Sequence, residues 1–279
     1  MKKRIWTSAI VLAIGSFATA QAASAATTAT YNANAAVTFN AGTGVTPPVD
    51  PTDPGTAVTP TNPDGSTPST GTAGPLSIDF ASSLSFGAQN ISAQDATYYA
   101  HAQNVTGGST ATVPDYVQVT DTRGTFAGWT LTAQTSSQLH LASVNPSTNP
   151  DNAAPGDYLT GATLNFTGGY VAGTAKNGAP NNIASTGSLG TAAITIMSAK
   201  ANTGVGTWMF GFGNGTSGSS NSVLSANNSA YQENGGSNLT NDAISTKSPI
   251  TLKVPGNTPK KAAAYTTNII WSLSDVPGN

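Results

Sequence analysis

The chain has 279 residues, no cysteine and only 8% charged residues, while Gly (30) and Pro (17) are abundant. That length supplies one medium domain with a real core, and the lack of cysteine excludes a disulfide scaffold and thiol chemistry. Twelve acidic residues against ten basic ones exclude bulk attraction to nucleic acid or an anionic membrane.

Residues 1–25, "MKKRIWTSAIVLAIGSFATAQAASA", have the form of a secretory signal peptide. Lys2, Lys3 and Arg4 make the positive start, Ala9 to Ala18 the apolar middle, and Ala23-Ser24-Ala25 the small-residue cleavage site. The apolar stretch is about half of the ~20 residues that a membrane span requires. Cleavage after Ala25 leaves seven basic residues against twelve acidic ones, a net charge of −5. The expected location is therefore extracellular, on a bacterial surface. There is no LPxTG-like sorting motif, so contacts of the folded domain are expected to hold the protein there.

Residues 26–45 contain "ATYNANAAVTFNAG", in which Val37 and Phe39 share a face at period two. This predicts a leading strand that docks on the main domain, because one strand cannot fold alone. Residues 46–75 follow, with eight of the seventeen prolines. Proline fixes φ and removes a backbone donor, so this stretch is expected to be an extended Pro/Thr/Asp-rich spacer outside any sheet.

From residue 76 to 279 short runs rich in β-branched and aromatic residues recur, divided by Gly, Pro, Asn and Asp. They are 76–87, 116–123, 128–135, 159–171, 191–197, 207–212, 248–255 and 265–273. Nothing of helical length carries a 3.6-residue period. The expectation is an all-β domain, an Ig-like or Greek-key sandwich with long loops. The polar stretch 213–238 reads as a long excursion between strands.

Motifs of catalysis are missing: no HExxH, no GxSxG, no phosphate-binding Gly-Lys loop and no dinucleotide fingerprint. Glu233 stands in a Gly/Asn-rich loop, and His101 and His140 are far apart in sequence. Paired carboxylates could do glycoside chemistry, with Asp115, Asp121 and Asp157 as candidates. Asp121 and Arg123, two residues apart, read better as a structural ion pair. Asn149, Asp151, Asn152 and Asp157 could ligate calcium, but their spacing fits Asx turns better than an EF-hand. No enzyme activity, cofactor or metal is therefore expected.

Aromatic and basic residues offer candidate contacts instead. Trp208, Phe210 and Phe212 share one face of a strand, as core or as a surface for a partner, and core is favoured. Lys247, Lys253, Lys260 and Lys261 form a basic patch in a stretch free of acids from Asp242 to Asp275. They either guard a sheet edge or touch an anionic wall polymer.

Two Trp-x-Leu units remain. Trp129 and Leu131 alternate with Thr130 and Thr132, and Trp271 and Leu273 alternate with Ile270 and Ser272. An apolar face opposite a largely polar one is the mark of a half-buried strand, which favours core over an exposed sugar-stacking platform. Together, "YVQVTDTRGTFAGWTLTAQ", "YTTNIIWSLSDVP" and "GTAGPLSIDFASSLSFG" resemble the WxL domain of Gram-positive surface proteins, as do the leader, leading strand and spacer. The resemblance implies non-covalent attachment to the cell wall, with peptidoglycan as ligand. It also implies assembly with other surface proteins, including a membrane-anchored companion. It carries over to Trp129, Leu131, Trp271 and Leu273. The alternative is a scaffold or adhesin within a surface complex that does not itself bind the wall.

Overall fold

A computed structural model describes residues 29–108, 111–146, 153–175, 178–182, 186–213 and 248–278. The signal-like segment, Lys247 and nearly all of the 213–238 excursion lie outside them. The chain divides into one unit that ends at Phe39 and a second from Asn40 to Asn279. In the first, residues 29–39 hold no strand, and Tyr31, Val37 and Phe39 are exposed. Where a leading strand was expected, residues 29–42 thus join no sheet among the described residues.

The second unit is built of β-strands, with no helix among the described residues. In chain order these begin with β1 (Val49–Asp50), β2 (Asp53–Ala57), β3 (Thr59–Thr61), β4 (Leu76–Ala81), β5 (Ala96–Tyr99), β6 (Gln103–Thr106) and β7 (Thr112–Val113). They continue with β8 (Tyr116–Asp121), β9 (Trp129–Thr135), β10 (His140–Leu141), β11 (Thr163–Thr167), β12 (Gly169–Gly173), β13 (Asn181–Asn182) and β14 (Thr186–Leu189). The last are β15 (Ile194–Ala199), β16 (Gly206–Phe212), β17 (Ile250–Val254), β18 (Tyr265–Thr266) and β19 (Ile269–Ser274). Every pairing is antiparallel.

Three four-stranded sheets make the body, with orders β12-β16-β8-β4, β13-β15-β9-β19 and β14-β11-β17-β5. The first is central. One of its faces carries Val117, Val119, Trp208, Phe210 and Phe212 into a single core with Trp129, Leu131, Ile196 and Met197 of the second sheet and Leu164, Phe166 and Ile250 of the third. This agrees with the sandwich that the alternating runs predicted, with residues of all three sheets sharing one core.

The other face of the central sheet is also covered. Tyr116, Phe80 and Met209 pack there against Val58, Val105 and Val113. Period two puts Gln118 and Thr120 beside Tyr116 on that face, and both are buried. A bulge between Ile78 and Phe80 in β4 lets Phe80 reach the same side. The extra residue, Asp79, accepts hydrogen bonds from Ser77 (2.7 Å), Gln118 (2.9 Å) and Thr120 (2.6 Å).

Here the structure departs from the spacer expected at 46–75. Gln118 binds that segment at both ends of its amide. Its Oε1 accepts from the Val49 N–H at 2.8 Å, and its Nε2 donates to the Pro47 carbonyl at 3.0 Å. Residues 49–61 form β1, β2 and β3, and β3 pairs with β6 through Thr59–Thr106, Pro60–Val105 and Thr61–Asn104. Pro60 is tolerated because β3 is an edge strand in the order β3-β6-β7, so its missing N–H faces no partner. A buried sheet face needs apolar cover and hydrogen-bond partners, and this segment supplies both.

Three cross-strand pairs place a ring over a glycine: Phe166 opposite Gly187, Tyr170 opposite Gly211 and Trp208 opposite Gly173. In each pair a Cβ on the glycine would overlap the ring atoms of its partner. Gly173→Ala should therefore destabilise the domain by about 1–3 kcal/mol, as overpacking does. Urea unfolding followed by tryptophan fluorescence measures it.

Candidate binding groove

The two Trp-x-Leu units lie side by side. β19 pairs with β9, with Leu273 opposite Leu131 and Trp271 opposite Ala133. Their local surroundings differ. β9 is interior to its sheet, between β15 and β19, and Trp129 is 0% exposed. Its indole N–H donates to the Gly204 carbonyl at 2.9 Å. Gly204 has φ +76 and no room for a Cβ, because Ala199 and the Trp129 ring occupy that space. The start of β9 is clamped as well. Arg123 grips Asp121 through Nε (3.0 Å) and Nη2 (2.8 Å), and Nη2 also donates to the Gly128 carbonyl at 2.7 Å. The "TDTRGTFAGW" block is thus a bracket that sets Trp129, and the expected Asp121–Arg123 ion pair is present.

β19 is an edge strand, so Ile269, Trp271 and Leu273 are half-buried and alternate with exposed Ile270, Ser272 and Ser274. Beside this edge a groove of about 1390 Å³ opens. Trp271, Leu84, Phe86, Tyr98, Leu252 and Val254 give it an apolar lining. Ser83, Ser85, Asn90, Thr267 and Asn268 add hydroxyl and amide groups. The Trp271 ring meets Phe212 of the core at 6.5 Å, tilted by 58°. Trp271 therefore has one side in the core and one at the groove, which corrects the reading that gave both tryptophans the same inward role. Part of this groove wall, 82–87, was read as the end of a strand over 76–87. The strand ends at Ala81, and Leu84 and Phe86 turn to the groove instead.

Trp208, Phe210 and Phe212 are buried, with Phe212 edge-to-face with Phe210 (5.2 Å) and Phe166 (5.4 Å). This stripe is core and has no face left for a partner. The basic patch is also reassigned in part. Lys260 Nζ donates to the carbonyls of Pro255 (2.9 Å), Thr258 (3.0 Å) and Ser92 (3.2 Å), tying two loops together. Lys261 pairs with Asp157 at 2.5 Å and holds that carboxyl below its usual pKa. Their charges are engaged within the molecule. Lys253 is exposed on β17, and Lys247 lies outside the described residues.

The candidate acids do not converge. Asp121 is held by Arg123, Asp157 by Lys261, and Asp115 is buried where neither ion pair of the described residues reaches it. The groove lining contains no carboxylate and no histidine among the described residues. No group of three His, Cys, Asp or Glu that could hold a metal occurs among the described residues. Of the proposed calcium donors, Asn149, Asp151 and Asn152 lie outside them, and Asp157 caps the Ala154 N–H at 3.0 Å.

A β-sandwich with an apolar, hydroxyl-rimmed groove, lined also by Lys260 and Lys261 but by no carboxylate or histidine among the described residues, has the equipment of a binding module. Glycoside hydrolysis would need two carboxylates at that groove. The family comparison gives the particular module: the family model for the WxL domain, surface cell wall-binding, matches residues 26–277. The chain belongs to the WxL family, which is a wall-binding and not a catalytic family. No curated protein and no solved structure matches it.

Two outcomes are expected from these surroundings. Trp129→Ala should cost about 3–5 kcal/mol, since it empties a closed core site. Trp271→Ala should cost about 1–2 kcal/mol, since only part of that side chain leaves water. Denaturant titration of both variants tests the contrast. Burial pushes the Asp115 carboxyl well above its ordinary pKa of 3.8. The folded state thus keeps a proton that the unfolded chain releases above about pH 4, and stability declines as pH rises from there. In Asp115→Asn this decline should flatten, so the variant's melting temperature exceeds that of the parent at pH 8 but not at pH 4.

Proposed function

We propose that this is an exported protein of a Gram-positive bacterium, cleaved after Ala25, that attaches non-covalently to peptidoglycan through the groove beside β19. The observation that carries this reading is the half-buried Trp271 at the lip of that groove. Its ring offers an apolar platform of the kind that stacks on a sugar face, and the rim supplies hydroxyl and amide groups suited to glycan hydroxyls. Membership in a wall-binding family supports the same ligand class. No helix of the described residues is long and apolar enough to cross a membrane. Attachment by the folded domain would hold the protein at the surface. Of the patch, Lys260 and Lys261 line the groove and Lys253 is exposed on β17, where an anionic polymer would meet them.

A second reading keeps a scaffold or adhesin role with a companion protein, and the uncovered β19 edge favours it. Such an edge can accept a partner strand by main-chain hydrogen bonds. Co-sedimentation with purified peptidoglycan sacculi separates the two. The processed chain should pellet with sacculi at low and moderate salt. Trp271→Ala should stay folded and bind at least about tenfold more weakly, a change of about 1.4 kcal/mol. A folded chain that stays in the supernatant under both salt conditions would refute wall binding and leave the scaffold reading.

A further inference from the structure

β19 is an unguarded edge. Natural edge strands are blunted by lysine, proline, a bulge or a covering loop. The sequence "IIWSLS" has no charge and no proline, and its pairing with β9 runs without a register shift. Among the described residues no strand pairs with its outer side. The groove next to it exceeds the range of roughly 300–1,000 Å³ typical of small-molecule sites. A length of peptide fits such a space better than a compact ligand.

The same chain carries a segment with complementary features. Residues 29–39 carry no charged side chain and join no strand among the described residues. At period two, Ala35, Val37 and Phe39 form an apolar face, and Asn34, Ala36 and Thr38 the opposite one. This is the same in-and-out pattern as Ile269, Trp271 and Leu273 against Ile270, Ser272 and Ser274. In the single chain Val37 is 75% exposed and Phe39 88%, an unusual state for an apolar stripe on a strand-forming segment. Residue 42 is fixed where the Gly42 N–H donates to the Thr122 carbonyl at 3.3 Å, so the free stretch ends there.

We propose that residues 29–39 of one copy add as a strand to β19 of a second copy, with Val37 and Phe39 seated in its groove against Trp271. The contact is heterologous, because a segment of one molecule meets a different surface of the next. Such contacts generate open chains unless the rotation closes a ring. Backbone pairing would supply the affinity and the two apolar side chains the register. The product is a head-to-tail assembly of this protein, and a groove filled by Val37 and Phe39 is closed to the wall ligand, so the two occupants compete for Trp271.

The processed chain is examined by analytical ultracentrifugation over roughly a hundredfold range of concentration, where an associating species shifts by mass action. A ladder of oligomers is expected, and Val37→Asp/Phe39→Asp should sediment as a monomer. A synthetic peptide of residues 29–42 should then bind that doubly substituted chain and shift its tryptophan emission. The shift should vanish in a chain that also carries Trp271→Phe. A peptide with both aspartates should bind at least about tenfold more weakly, the loss expected when two apolar side chains cannot leave water. Monomers at every concentration would overturn the proposal, whether because the peptide fails to bind or because each chain fills its own groove. Oligomers that persist in the aspartate variant would overturn it too. Sacculus binding by the same monomeric variant keeps the wall reading separate.

Discussion

The structure depends on the burial of the central sheet on both faces. All six residues of β8 are buried, apolar ones toward the main core and Tyr116, Gln118 and Thr120 toward the other side. A strand in that position demands cover twice, and its polar side chains demand partners that water cannot supply. The neighbouring sheets answer the first demand through an aromatic core. The proline-rich segment answers the second, because its carbonyl and N–H groups meet the Gln118 amide and its Val58 joins the outer cluster. The segment that looked least structural in composition is therefore part of the fold.

The same principle separates the two Trp-x-Leu units. They occupy adjacent strands in matched register, yet one strand is interior and the other an edge. Trp129 is enclosed by the Gly204 turn and the Asp121–Arg123 bracket, and its role is to hold the sandwich closed. Trp271 shares the core only on one side, and its other side forms the groove lip. A motif repeated in sequence thus does two jobs, and the difference comes from strand order. The lysines show a parallel division, since two of them staple loops while Lys253 stays at the surface.

Much of the fold was legible where local pattern and tertiary role coincide. The runs read at 116–123, 128–135, 207–212 and 265–273 place apolar residues at every second position, and within them β8, β9, β16 and β19 formed with those apolar faces toward the core. The pattern misled at 29–42, where Val37 and Phe39 alternate as in a strand but find no sheet in the single chain. It also hid β1 to β3, because proline argues against a strand unless the strand lies at an edge, and edge position is not written locally. The groove escaped the sequence for a similar reason. Its walls come from 82–91, β5, β17 and 260–268, segments that only the sheet order brings together.

By itself, the sequence determined the all-β class, the absence of catalytic motifs and the family-bearing blocks around Trp129 and Trp271. These follow from residue type and period, which act over a few neighbours along the chain. Tertiary structure settled the favoured core reading of Trp208, Phe210 and Phe212, and it alone decided that Lys260 and Lys261 are engaged within the molecule and that the last strand borders an open groove. Each of these depends on which strand lies beside which. Burial is fixed by neighbours in space, and a strand's own alternation is the same whether its outer edge is covered or free.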